Sequence, residues 1–122
     1  MSEQIINWKA LQPRERDALV AEKVFERTID RSMTFGQLLM FRDGSNALTE
    51  VIPHYTTDDV WSVVDHLRLK RFDIHVASAP FQYDALIMDR RMGGKDFEAS
   101  AQSAPEAICI AALKCCGCEV MS

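Results

Sequence analysis

The longest apolar stretch of the chain lies between Ser103 and Gly117, where Glu106 and Lys114 are the only charges. Ile108, Ala111, Ala112 and Cys115 fall on one helical stripe, and Ala107, Ile110 and Leu113 cover much of the remaining circumference. A helix apolar on every side is buried rather than laid on a surface. Its ends are also written in the sequence. Ser103 is a good N-cap, and Glu106 three residues on completes a capping box. Pro105 sits in the first turn, where a missing N–H costs little. Gly117 can adopt the left-handed conformation that stops the helix. This segment is expected to be the packing axis of the fold.

The upstream pattern is more mixed. Residues 1–6 read as a loose start. Pro13 to about Arg27 is amphipathic: Ala18, Ala21 and Phe25 line one side, with Leu19, Val20 and Val24 beside them and charges opposite. Asp17 reads as a solvated or capping charge of this helix. Residues 28–32 read as a loop. Thr34 to Arg42 then reads as a strand, and Asp43-Gly44 signals a hairpin returning over about Ala47 to Ile52. Leu38 to Phe41 is apolar without alternation, the pattern of a strand covered on both faces.

Pro53 ends that strand. Thr56 or Thr57 is the expected N-cap of a second helix running to about Lys70, with Asp58 and Asp59 in its first turn. Its stripe is Val60, Val64 and Leu67, widened by Trp61 and Val63. Phe72 to Ser78 alternates, with Phe72, Ile74 and Val76 to one side and Asp73 and His75 to the other. Pro80 breaks the pattern, Tyr83 to Arg90 forms a second strand, Gly93-Gly94 turns, and Asp96 to Ala101 forms a third. The predicted order is α-β-β-α-β-β-β-α. Short links require antiparallel pairing. The fold class is therefore α+β: an antiparallel sheet with helices packed on both faces, a single domain over residues 1–122.

Composition narrows the function classes. The net charge of −4 disfavours a dedicated nucleic-acid binder, whose footprint is basic. No apolar run reaches the length of a membrane span, and no signal-peptide core precedes the first helix. All four cysteines fall within the last fourteen residues, whereas an oxidised scaffold spreads them to staple distant segments. A reducing, cytoplasmic compartment is expected.

Three blocks of the chain resemble a known family. Arg16-Asp-Ala-Leu-Val-Ala-Glu-Lys-Val, then Pro53-His-Tyr-Thr-Thr-Asp with the later Trp61, then Ala104-Pro-Glu-Ala-Ile-Cys-Ile-Ala-Ala-Leu are similar, in the same order, to the phage ABA sandwich domain proteins. The resemblance implies a phage or prophage origin and a sheet between helical layers, and it carries over no biochemical activity. The sequence departs from the family pattern at Tyr83-Asp84-Ala85-Leu86-Ile87, where relatives carry Trp-x-Ala-x-Phe, and at the tail Cys115-Cys-Gly-Cys.

No catalytic, cofactor or metal constellation stands out. Cys109, Cys115, Cys116 and Cys118 lack the second ligand pair that a tetrahedral zinc site requires. His54, His66 and His75 are scattered, and His66 beside Asp65 reads as a solvated helix residue. The binding candidates are His54 and Tyr55 before a helix start, the cationic residues Arg68, Arg71, Arg90 and Arg91, and His75 on the outward side of its strand. Two function classes follow. One is a small phage accessory protein that binds, and inhibits, a host protein, plausibly a defence component, without turnover. The other is a binder of a small anionic ligand such as a signalling nucleotide, held by the arginines with Tyr55. A homo-oligomer is compatible with either.

Overall fold

A computed structural model describes residues 5–27, 29–35, 38–41, 52–90 and 94–121. Its centre is the expected apolar helix, α3 (Ala104–Cys115). The Ser103 hydroxyl accepts the Glu106 N–H at 3.3 Å, so the N-cap forms as read. At the other end Gly117 has φ +89°, and the Cys118 N–H reaches back to the Leu113 carbonyl at 3.0 Å. Every residue from Ala107 to Leu113 is buried.

Against α3 lies a three-stranded antiparallel sheet in the order β4 (Phe72–Ala79), β5 (Gln82–Asp89), β6 (Asp96–Ala101). The register runs from Phe72 opposite Asp89 to Ala79 opposite Gln82, and from Tyr83 opposite Ala101 to Met88 opposite Asp96. Opposed residues share a face. One face therefore carries the rows Ile74, Ile87, Phe97 and Val76, Ala85, Ala99; the other carries Asp73, Met88, Asp96 and His75, Leu86, Glu98. Ile87, Ala85 and Ala99 are buried against α3, the alanines permitting close approach. Val76 shares that face but, on an edge strand, remains 44 % exposed. Gly94 closes the β5–β6 link where a Cβ would meet Asp89 at 2.5 Å, so the close approach requires glycine.

The other helices complete the enclosure of α3. Helix α1 (Pro13–Lys23) touches α3 and the hairpin β2 (Ile29–Phe35)–β3 (Leu38–Phe41), and α2 (Val60–Leu69) packs on α3 and β4. Short strands β1 (Ile5–Asn7) and β7 (Glu119–Met121) pair in parallel, and a 3-10 turn at Trp8–Ala10 links β1 to α1. The fold is mixed α+β with an antiparallel sheet, as expected.

Several details depart from the sequence reading. Of the start expected to be loose, residues 1–4 lie outside the described residues, while Ile5 and Ile6 belong to β1 and Ile6 is buried. Among the described residues the paired strands fall into a three-stranded sheet and two separate two-stranded pairs. The loop expected at 28–32 is strand from Ile29 on, because residues 29–35 pair with β3, and the pairing of Phe35 with Leu38 interrupts the strand expected over 34–42. The Asp43-Gly44 hairpin and most of its return strand lie outside the described residues. Helix α1 stops at Lys23 rather than Arg27, because Glu26 takes φ +56° and the Arg27 N–H turns back to the Ala21 carbonyl. Trp61 is 69 % exposed, and the buried stripe of α2 is Val60, Val63, Val64 and Leu67.

The helix cap expected at Thr56 or Thr57 is replaced by a different device. Residues 55–59 form turns before α2 begins. Thr56 donates both its N–H and its hydroxyl to Asp17 Oδ1, each at 2.8 Å. Asp17 is therefore not a solvated charge; it is 2 % exposed. Arg14 pairs with its other oxygen at 2.6 Å and donates to the carbonyls of Ile52 and Pro53. A buried carboxylate is tolerated only with such partners. Together they bind the 52–56 segment to α1.

Candidate functional site

The binding candidates separate into three places. Tyr55 is buried, its ring stacked on Phe25 with centroids 4.8 Å apart, and its carbonyl accepts the Cys109 thiol at 3.2 Å. It is a core residue and offers no ring face to a ligand. His54 beside it is half exposed; its backbone N–H donates to Asp59 Oδ2 at 2.7 Å. At the far end of the sheet, Arg68 and Arg71 end α2, and the Arg90 N–H donates to the Arg71 carbonyl at 3.0 Å. Arg71 and Arg90 therefore meet through their backbones. Arg90 is already paired with Asp73 at 3.1 Å, and Arg91 lies outside the described residues. His75 stands exposed on β4, on the face that also carries Asp73, Asp96 and Glu98. Among the described residues, Arg68, Arg71 and Arg90 do not form with Tyr55 the concave site that the small-anion reading requires.

His66 also departs from its reading. Its ring packs on Phe25 with centroids 4.6 Å apart, and its Nε2 is buried without a hydrogen-bond partner among the described residues. Burial, with Lys70 nearby, lowers its pKa. It lines a cleft of about 460 Å³ with Lys23, Lys70, Cys115 and Cys116. None of the four cysteines is in a disulfide. Burial raises the pKa of Cys109, Cys116 and Cys118, so none is poised as a thiolate nucleophile. Among the described residues no group of three or more histidines, cysteines or carboxylates is placed to hold a metal ion.

The most distinctive surface was not among the sequence candidates. The link between β4 and β5 is Pro80-Phe81, and Phe81 has φ +71° with a side chain 100 % exposed. Left-handed backbone in a bulky residue is uncommon and strained. Complete exposure of a phenyl ring gives the fold nothing in return. Beside this tip runs a groove of about 680 Å³ with Trp8, Lys9, Arg16, Gln102 and Glu106 along its walls. Trp8 is 2 % exposed, yet its indole N–H has no hydrogen-bond partner among the described residues. The Arg16 guanidinium lies 5.1 Å from the indole centroid, its Nε donates to the Trp8 carbonyl at 3.0 Å, and its Nη1 stands 3.4 Å from Glu106 Oε1. The sequence hid this site because its walls come from three distant segments. The one local signal was Pro80 followed by an aromatic residue where a turn prefers glycine or asparagine.

No helix among the described residues is long and apolar enough to cross a membrane. Neither a curated protein nor a solved structure matches the chain. The family model of the phage ABA sandwich domain matches residues 18–113, from within α1 to within α3. By that match the chain belongs to the phage ABA sandwich domain family.

Proposed function

We propose that this protein acts by binding a protein partner, without turnover, and that the β4–β5 tip is its contact point. The observation that carries this reading is Phe81, a fully exposed aromatic ring held in a strained turn. Strain of this kind persists where it serves a purpose other than stability, and exposed aromatic residues are the usual anchors of protein interfaces. Membership of a phage family supports a partner met in an infected cell; the finer reading is a host protein such as a defence component, bound and inhibited in the host cytoplasm. Turnover has little support, because catalysis needs convergent groups with tuned pKa values and the Cys109, Cys116 and Cys118 thiols are shifted away from reactivity.

The test is parallel capture from lysate of infected host cells with the wild-type protein and Phe81→Gly. The retained partner is then prepared pure and its affinity measured by calorimetry. The expected result is a partner bound by wild type and weakened at least about tenfold by Phe81→Gly, the size typical of an interface anchor. Unchanged affinity in the variant would remove the tip from the function. Catalytic conversion of an extract component, abolished by one substitution at His54, His75 or Cys109, would replace binding with an enzymatic role.

A further inference from the structure

The geometry points to a carboxylate-bearing segment of the partner as the occupant of the groove beside Phe81. This inference rests on the binding role of the tip and specifies the chemistry it meets. The groove presents donors. Lys9 stands at its wall without a described ion pair, and Arg16 holds its one groove carboxylate, Glu106, only at 3.4 Å. The Trp8 indole N–H, in a residue only 2 % exposed, has no acceptor among the described residues. An unsatisfied buried donor is costly, so a site that supplies its acceptor on binding gains more than one where all donors are already paired.

Charge complementarity selects the ligand. The chain carries net charge −4, and the outward sheet face bears Asp73, Asp96 and Glu98, so an acidic segment is repelled there. In the groove two cations, Lys9 and Arg16, stand against one carboxylate, Glu106, and Phe81 lies at its rim, which sets it apart from the cleft at Lys23 and Lys70. A carboxylate entering the groove takes the place of Glu106 on Arg16, in the bidentate geometry that guanidinium favours. A second oxygen or a backbone carbonyl of the segment then serves as the acceptor that the Trp8 N–H lacks among the described residues. The exposed Phe81 ring then covers the apolar part of the same segment. A free anion would use the cations but not Phe81.

The test uses Trp8 as the reporter in a Trp61→Phe background, since Trp61 is the other tryptophan and lies exposed. The probe is the blocked peptide acetyl-Gly-Asp-Phe-Glu-Gly-amide, titrated to millimolar concentration. Its controls are the same peptide with both acids as amides, and inorganic phosphate. The expected result is a saturable change in Trp8 emission with the acidic peptide alone, weakened about tenfold by Lys9→Gln or Arg16→Gln, as for loss of a close charge pair. Glu106→Gln should tighten binding, because it removes the carboxylate the ligand displaces; a purely structural role for Arg16 and Glu106 would not produce tightening. An equal response to the amide peptide, a phosphate response as strong as the peptide's, or no saturable change would overturn the inference. If the peptide fails while Phe81→Gly still releases the captured partner, the binding role stands and this ligand chemistry falls. If the peptide binds while Phe81→Gly leaves the captured partner bound, the groove chemistry stands and the assigned role of the tip falls.

Discussion

Phe81 occupies a backbone conformation that glycine adopts freely and a phenylalanine resists. Its ring touches nothing that burial would reward. Replacing it should therefore relieve strain without opening a cavity. Phe81→Gly is expected to raise unfolding stability by up to about 1 kcal/mol, after the extra entropy of glycine in the unfolded chain is set against the relief. Urea denaturation measures this, and a loss of stability would mean that the ring packs in solution. The same substitution is expected to weaken partner binding, so stability and function should move in opposite directions at one residue. Asp17 is the contrasting case. It resembles a surface acid in sequence, yet it organises the 52–56 segment through Thr56 and Arg14. Nothing in the spacing of Asp17 within its helix signals this, because the partner that justifies its burial lies 39 residues away.

At the scale of elements, what was legible followed local physics. Helix α3 announced its caps, its apolarity and its burial, because all three depend on neighbours in sequence. The meander β4–β5–β6 was legible through alternation and its turn residues. The end of α1 and the tip at Phe81 were not, since non-glycine residues with positive φ terminate or turn the chain at both places. Strands β1 and β7 are three residues each, too short for a period to show. The groove was illegible for a related reason: it exists only after the 3-10 turn, the hairpin tip and the start of α3 converge. The central place of α3 sets a quantitative expectation. Ile108, 4 % exposed in the middle of that helix, should cost about 2–5 kcal/mol on substitution by alanine. A change within about 0.5 kcal/mol in chemical denaturation, the range of ordinary surface substitutions, would show that α3 is not the core element.

Over the whole molecule, the buried side chains form one core running from Ile6 and Trp8 through α1, α2 and the sheet to α3. A titratable group sits inside it. Cys109 is completely buried, and desolvation, then the negative charges of Asp17 and Glu106, push its thiol pKa upward. The unfolded chain releases this proton near the ordinary thiol value, about 8.5, while the folded protein retains it. The stabilisation is thus fully present below about pH 8.5 and is lost as pH rises toward the folded value. Wild-type stability should fall on going from about pH 8 to about pH 10, and Cys109→Ala should flatten that alkaline limb, as read by denaturation midpoints; an identical slope in both proteins would assign the loss to other groups. The pairing of β1 with β7 has a separate, mechanical consequence. Because Ile5 lies opposite Glu119 and Asn7 opposite Met121, the two strands run the same way. A pull applied toward the two chain ends draws β1 and β7 past each other along their length, so their hydrogen bonds are loaded together in shear rather than unzipped one at a time. The segments that close the core are thereby arranged as a force-bearing clasp, and a translocating unfoldase gripping one end would meet its resistance at that clasp before reaching α3.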